Sequence, residues 1–318
     1  VGHAQDERAL TGCTVLLAES GMVAACEVRG SAAGARELVV LDPVHIVDRI
    51  HAVVFAGGSA FGLDAASGVM RWLEERGIGF DAGVARVPIV PAAILFDLGL
   101  GDSRRRPDAA LGYAAADAAR QECATEGNAG AGMGASVGKL FGMAQAMKAG
   151  IGCWTEECAD AAGGHLRVAA LAAVNAFGDV RDPATARLLA GTRVAPDSRE
   201  LLDTAAALRR GISKPSFSQP AAPRANTVLV AVVTDAALTR IEAKRLAVMA
   251  SAGVGRSLSP AFTSFDGDIV FALSLGPARP GPAGVDALGA AAAEAVAQAV
   301  VRGVTQAGSA GGLPGLAD

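Results

Sequence analysis

The chain has 318 residues and a net charge of −4, so it offers no basic field for nucleic acid or an anionic membrane. Its 51% hydrophobic content supplies a large core, and with 4% aromatics and 40 glycines that core must be built from small, closely approaching side chains. The five cysteines (13, 26, 123, 153 and 158) are odd in number and irregular in spacing, which excludes a disulfide framework, and the lone C-x4-C pair at 153 and 158 argues against structural zinc.

The length suits one large α/β domain. No run of about 18 apolar residues is present, and no signal-peptide pattern opens the chain. A cytoplasmic location with no membrane span is therefore expected.

In chain order, strands are predicted over 14–18, 23–28 and 51–56. The third ends at Gly57-Gly58, and a helix follows over 59–76. Phe61, Ala65, Val69 and Leu73 fall on one face of it, Ser59 is the expected N-cap and Gly77 the expected stop. Residues 87–98 are apolar but carry two prolines, and read as a buried irregular strand or loop. An Ala-rich helix is predicted over 109–122, a Gly-rich loop over 127–139, and an apolar strand over 165–174 ending at Asn175. A short helical stretch near 198–209 leads into ISKPSFSQPAAPRAN. Its prolines exclude a central strand or helix and mark an exposed, mobile segment. Order then returns abruptly. Residues 227–234, TVLVAVVT, form a β-branched run suited to a strand buried on both faces. A helix over 238–252, a buried strand over 269–275 and a long helix over 286–307 complete a β-α-β-α tail.

Several segments carry possible chemistry. Gly57-Gly58-Ser-Ala-Phe-Gly62 has the spacing G-G-x-x-x-G, and a tight turn explains it as well as a phosphate site does. The loop ending at Lys139 fails as a P-loop, because Met133 and Leu140 stand where Gly and Ser or Thr are needed. It contains Gly134-Ala-Ser136-Val-Gly138, which keeps a serine hydrolase built on Ser136 open as an alternative. No strong strand leads into it, however, and His165 and Asp160 lie too close together for the usual triad order. A nucleotide- or metabolite-binding protein using the glycine-rich loops is a third possibility.

Asn226-Thr227 joins the proline-rich stretch to the buried strand. On local sequence alone, a turn entering a strand is the simpler account. The functional account has definite physics. Cleavage before Thr227 would free an α-amine with a pKa of ~7.7–8.0. That amine can take the hydroxyl proton and return it to a leaving group, so one residue supplies nucleophile and base. Asp266-Gly-Asp268 precedes the next buried strand. It reads as a polar turn or, if the strands are neighbours, as two carboxylates that orient and tune the amine.

Taken together, GGSAFGLDAASGVMRWLEERG (57–77), VPIVPAAILFDL (87–98), GAGMGASVGK (130–139), AVNAFGDV (173–180), NTVLVAVVTDA (226–236) and FDGDIVFAL (265–273) resemble the DmpA-type self-processing aminopeptidases. That family also contains the nylon-oligomer (6-aminohexanoate-oligomer) hydrolases. The resemblance implies an αββα sandwich of the N-terminal-nucleophile-hydrolase type, consistent with the alternating buried strands and helices. It implies one hydrolase domain, cut between Asn226 and Thr227 into 1–226 and 227–318, and assembled as a homo-oligomer, a tetramer by resemblance. Thr227 would be the nucleophile, Lys139 and Asn175 the oxyanion stabilisers, and Asp266 and Asp268 its neighbours. No cofactor or metal is implied. Thr227 with Asp-Gly-Asp is similar to the nylon-oligomer branch, whereas the aminopeptidase branch typically uses Ser. Phe96 stands where characterised members carry a Tyr. Short peptide-like amides, aminoacyl amides and aminohexanoate oligomers are the expected substrates.

Overall fold

The apolar, β-branched runs become the strands of a nine-stranded mixed sheet in a computed structural model that describes residues 1–122, 124–212, 226–280 and 284–318. Cys123 and the proline-rich stretch 213–225, expected as an exposed segment, lie outside the described residues. The strands are β1 (Gly2–Asp6), β2 (Thr11–Val28), β3 (Ala35–Arg36), β4 (Ile50–Ala56), β5 (Ala92–Ile94), β6 (Ile151–Ala159), β7 (His165–Asn175), β8 (Thr227–Ala236) and β9 (Ile269–Ala278). Among the described residues five α-helices accompany them: α1 (Ala65–Glu74), α2 (Ala109–Asp117), α3 (Thr204–Arg209), α4 (Arg240–Ser257) and α5 (Gly284–Thr305).

The hydrogen-bonded order is β6-β7-β8-β9-β2-β4-β5-β3, with β1 also on β2. β8 and β9 run parallel, joined through α4, while β7 and β2 flank them antiparallel. The sheet folds on itself at β2. Residues 13–17 of this strand pair with β4, residues 23–28 pair with β9, and the register shifts between Leu17 and Met22 around Gly21, whose φ is 74°. The sequence suggests two strands here, and the structure has one bent strand serving both halves.

Side-chain alternation then makes three cores from two half-sheets. Val228, Val230 and Val232 of β8 meet α4 and α5 in one apolar cluster. Leu229 and Ala231 point the other way, into a cluster shared with Val53 and Phe55 of β4. Phe55 and Phe271 close this middle layer with ring centroids 5.8 Å apart. Ala52, Val54 and Ala56 face α1 and α2. The result is an αββα sandwich. Small residues set its spacing: a Cβ on Gly253 of α4 would lie 2.3 Å from the Ala293 carbonyl oxygen of α5. Helix α5 is long and apolar enough to cross a membrane by length and composition, and here half of its most apolar window is buried.

Three local expectations are corrected. The helix from 59 begins as a 3-10 segment, Ser59–Asp64, and Ser59 is not a side-chain cap. Its φ is 56°, and its backbone N–H is spent on the Leu95 carbonyl beside β5. Phe61 is exposed, stacked under Arg106, while Ala65, Val69 and Leu73 are buried as expected. Helix α2 stops at Asp117 rather than 122, because the following turn pairs Arg120 with the backbone of Val1. Strand β6 was not anticipated. It is an edge strand whose outer half is largely solvated.

Candidate active site

At one end of the middle layer the apolar alternation gives way to polar side chains. Thr227 opens β8 and continues the face of Leu229 and Ala231. Asn175 ends β7 and is its direct antiparallel partner. Asn226, Thr227, Asn175, Lys139, Asp266 and Asp268 are all within 3% of complete burial. The six residues singled out in the sequence thus lie at one locality, built from β7, β8, the turn before β9 and the Gly-rich loop.

Two donors converge on the carbonyl oxygen of Asn226. The Thr227 hydroxyl donates to it at 2.6 Å, and the Gly267 backbone N–H donates at 2.7 Å. Gly267 packs so tightly here that a Cβ would lie 2.8 Å from Thr227 Oγ1. The Asn226 side chain donates through Nδ2 to the Phe265 carbonyl, and its Oδ1 is buried with no hydrogen-bond partner among the described residues. Such an orphan costs about 1–3 kcal/mol.

Lys139 Nζ donates to Asn175 Oδ1 at 2.6 Å and to the Asn175 carbonyl at 3.2 Å. Ser136 N–H donates to the same Oδ1, so the amide oxygen must face Lys139 and Nδ2 must face away, where it donates to the Phe96 carbonyl. Asn175 therefore holds the ammonium in place, and its own donor is committed elsewhere. Phe96 contributes its backbone oxygen here, while its half-buried ring helps line a small pocket with Gly99, Gly134, Ser136, Lys139 and Met143.

The two carboxylates face different tasks. Asp266 accepts from Phe177 N–H, Thr263 N–H and the Thr263 hydroxyl, and Asp268 accepts from Val228 N–H at 2.7 Å. Burial raises the pKa of Asp266 above the usual carboxylate value, against its hydrogen bonds and the Lys139 charge. Burial first, and the Asp266 charge second, push Asp268 up much further. A proton is thus readily held within this pair, a short step from the Thr227 backbone.

The Ser136 triad is not assembled. Ser136 is buried, and its hydroxyl faces the Met143 sulfur at 3.9 Å. His165 sits at the other end of β7 from Asn175, ten residues or roughly 33 Å away, exposed and beside Glu157. Asp160 closes a turn by accepting from Ala162 and Gly164. The Gly57-Gly58 turn is a close-packing device, with a Cβ on Gly57 falling 2.0 Å from Asp97 Oδ2.

Asp97, Thr11 and Lys148 are buried neighbours that the sequence reading missed. Asp97 left a signal. It is the one charged residue in the apolar run VPIVPAAILFDLGL, and a lone carboxylate inside a buried run needs a reason.

The family model described as peptidase family S58 matches residues 1–317. An uncharacterized aminopeptidase of Mycobacterium tuberculosis is 40% identical over 326 residues, covering 96% of this chain and 89% of the relative. The 6-aminohexanoate-oligomer endohydrolase of Agromyces sp. is 30% identical over 323 residues, covering 95% of this chain and 82% of the relative. Among solved structures, a Burkholderia sp. beta-aminopeptidase superposes with a TM-score of 0.68 at 20% identity, over 99% of this chain and 92% of the other. The L-aminopeptidase D-Ala-esterase/amidase of Ochrobactrum anthropi, described as a variant of the Ntn-hydrolase fold, gives 0.65 at 18% identity, over 96% and 88%. The sandwich is thus of the Ntn-hydrolase type, and with the family match over nearly its whole length this chain belongs to peptidase family S58 and is an amide-bond hydrolase.

Proposed function

We propose that the chain is a self-processing amide hydrolase that cleaves itself between Asn226 and Thr227 and then uses Thr227 as an N-terminal nucleophile. The observation that carries this reading is the convergence on one carbonyl. The Thr227 hydroxyl lies against the Asn226 carbonyl, and Gly267 N–H polarises the oxygen that would become negative. Thr227 Oγ attacks the Asn226 carbonyl carbon, the Thr227 nitrogen leaves with a proton, and an ester joins the two residues. Water hydrolyses that ester, giving a carboxylate on Asn226 and a free amine on Thr227. The unpartnered Asn226 Oδ1 favours this step, since cleavage lets the side chain move.

In turnover the freed amine takes the Thr227 hydroxyl proton as Oγ attacks a substrate amide. Lys139, held by Asn175, faces the developing oxyanion, and Asp266 and Asp268 take up the positive charge of the amine. The proton passes to the leaving amine, and water releases the acid from the acyl-enzyme. The chain remains a single hydrolase domain made of two segments, 1–226 and 227–318.

Two substrate readings are supported. Thr227 with Asp266-Gly-Asp268 favours short peptide-like amides or 6-aminohexanoate oligomers, the substrate in the name of the relative at 30% identity. The higher overall identity to a protein named an aminopeptidase favours aminoacyl peptides and amides. Side-by-side assay on both classes separates them. A denaturing gel tests the common claim. Wild type should show fragments near 1–226 and 227–318, and Thr227→Ala one intact, inactive chain. A wild-type enzyme that is active yet uncut would overturn it.

A further inference from the structure

Two glycine-rich motifs remain unexplained by the nucleophile, and both close on one side chain. Asp97 follows β5 and is 4% exposed. Its Oδ1 accepts from Gly58 N–H at 2.6 Å and its Oδ2 accepts from the Thr11 hydroxyl at 2.6 Å. A Cβ on Gly57 would strike Oδ2 at 2.0 Å, and one on Gly134 would lie 2.5 Å from the Asp97 Cβ. The GGSAFG turn and the loop carrying Ser136 and Lys139 are therefore both moulded around this carboxylate. Asp97 and Lys139 also line the same small pocket.

We propose, building on the hydrolase reading above, that Asp97 is a positioning residue of the active site, locking the two glycine-rich loops together and supplying the buried negative charge opposite the Lys139 ammonium. It touches no reacting atom and acts through Lys139. A second buried lysine bears on it electrostatically. Lys148 donates to the Gly132 carbonyl at 3.0 Å and to the Ala149 carbonyl, bracing the same loop from within. The charged groups that bear on Asp97 are thus Lys139 from the loop and Lys148 from the short strand beside it, with Asp266 beyond Lys139. Burial raises the pKa of Asp97, and the Thr11 and Gly58 hydrogen bonds with the Lys139 charge oppose that rise. Burial lowers Lys148 to about 7, with Asp97 opposing.

The test uses the full chain, purified and processed, with kcat and KM measured across pH for four proteins. Asp97→Asn keeps the shape and removes the charge. It should lower kcat by about tenfold or more with KM within about twofold. The alkaline limb of its kcat profile should move to lower pH, because Lys139 loses its counter-charge. Thr11→Val keeps the charge and removes one donor. Asp97 then holds its proton to higher pH, so the further acid-side fall in kcat that its protonation adds to that of the Thr227 amine should begin at higher pH, while the alkaline limb stays. An Asp97→Asn enzyme that folds, with both limbs unmoved, overturns the proposal, even if stability and kcat fall together. Should Asp97→Asn misfold or stay uncut, Thr11→Val decides, and an unmoved acid limb overturns it. Lys139→Met separates the two levels of argument. If it is fully active, the oxyanion assignment fails and this proposal with it. If it is inactive while Asp97→Asn is indistinguishable from wild type, only the Asp97 role falls.

Discussion

Asp179 and the Asp266–Asp268 pair are buried carboxylates in the same fold with opposite circumstances. Asp179 accepts from Thr192 N–H, Thr204 N–H and the Thr204 hydroxyl, which ties the segment after β7 to the first turn of α3. Its pKa rises to about 6, because burial outweighs these bonds. Asp266 and Asp268 also have donors, but the Asp266 charge raises Asp268 further, and an ammonium and a hydroxyl lie close by. One cluster is a knot of backbone and hydroxyl donors around one buried acid, with Asp203 as its weakest influence. The other is a set of groups whose protonation states depend on one another. Burial and a raised pKa alone therefore do not mark the reactive place. Mutual dependence beside a nucleophile does.

Substitutions should sharpen that contrast, starting with the largest effect. Gly267→Ala would place a methyl group 2.8 Å from Thr227 Oγ1 and 2.7 Å from the Ala32 carbonyl oxygen. Displacing the nucleophile should cut kcat by about a hundredfold or more, with secondary structure by circular dichroism unchanged. Near-normal turnover would mean that the close packing around Thr227 is immaterial.

Asp268→Asn comes next. The Asn oxygen can still accept from Val228, but the acid whose pKa burial and the Asp266 charge raise is gone. Turnover should fall by about tenfold to a hundredfold. The acid limb of kcat/KM should shift to lower pH, since the acid that takes up a proton first as pH falls has been removed. An upward shift would contradict the coupling between the two acids.

The smallest effect on turnover is expected at Asp179→Asn, within about twofold per folded molecule, because the site shares no partner with it. Stability should respond instead. The folded pKa of about 6 exceeds the ordinary 3.8, so the folded state holds this proton more tightly. That contribution is complete below 3.8 and lost as pH rises through 6, amounting to about 3 kcal/mol at 1.36 kcal/mol per unit. Urea titrations should find that loss in wild type and not in the variant. A variant that keeps the same pH slope would assign it to another group.

Much of this arrangement is legible in the sequence where the signal is local. The run from Thr227 predicts a strand buried on both faces, and the two faces of β8 indeed serve two cores. Lys139, Asn175, Asp266 and Asp268 were named from the family motifs, and they do gather around Thr227. What was not legible depends on distant partners. Ser59 has the residue type of a cap, but Leu95 takes its backbone N–H. Thr11 and Asp97 are 86 residues apart, and no periodicity links them. Gly21 lets β2 pass between half-sheets, a choice set by tertiary packing rather than by propensity.

The strand order has a consequence for a chain cut before Thr227. β8 and β9 would belong to the downstream piece, yet they lie side by side between β7 and β2 of the upstream piece. Neither piece could leave without breaking a ladder on each side, and α4 and α5 would have to abandon the sheet as well. The two polypeptides would be interlocked like clasped fingers, so the peptide bond at 226–227 is needed to thread the sheet and not to keep it. Expressed apart, residues 227–318 would present two raw sheet edges and should aggregate.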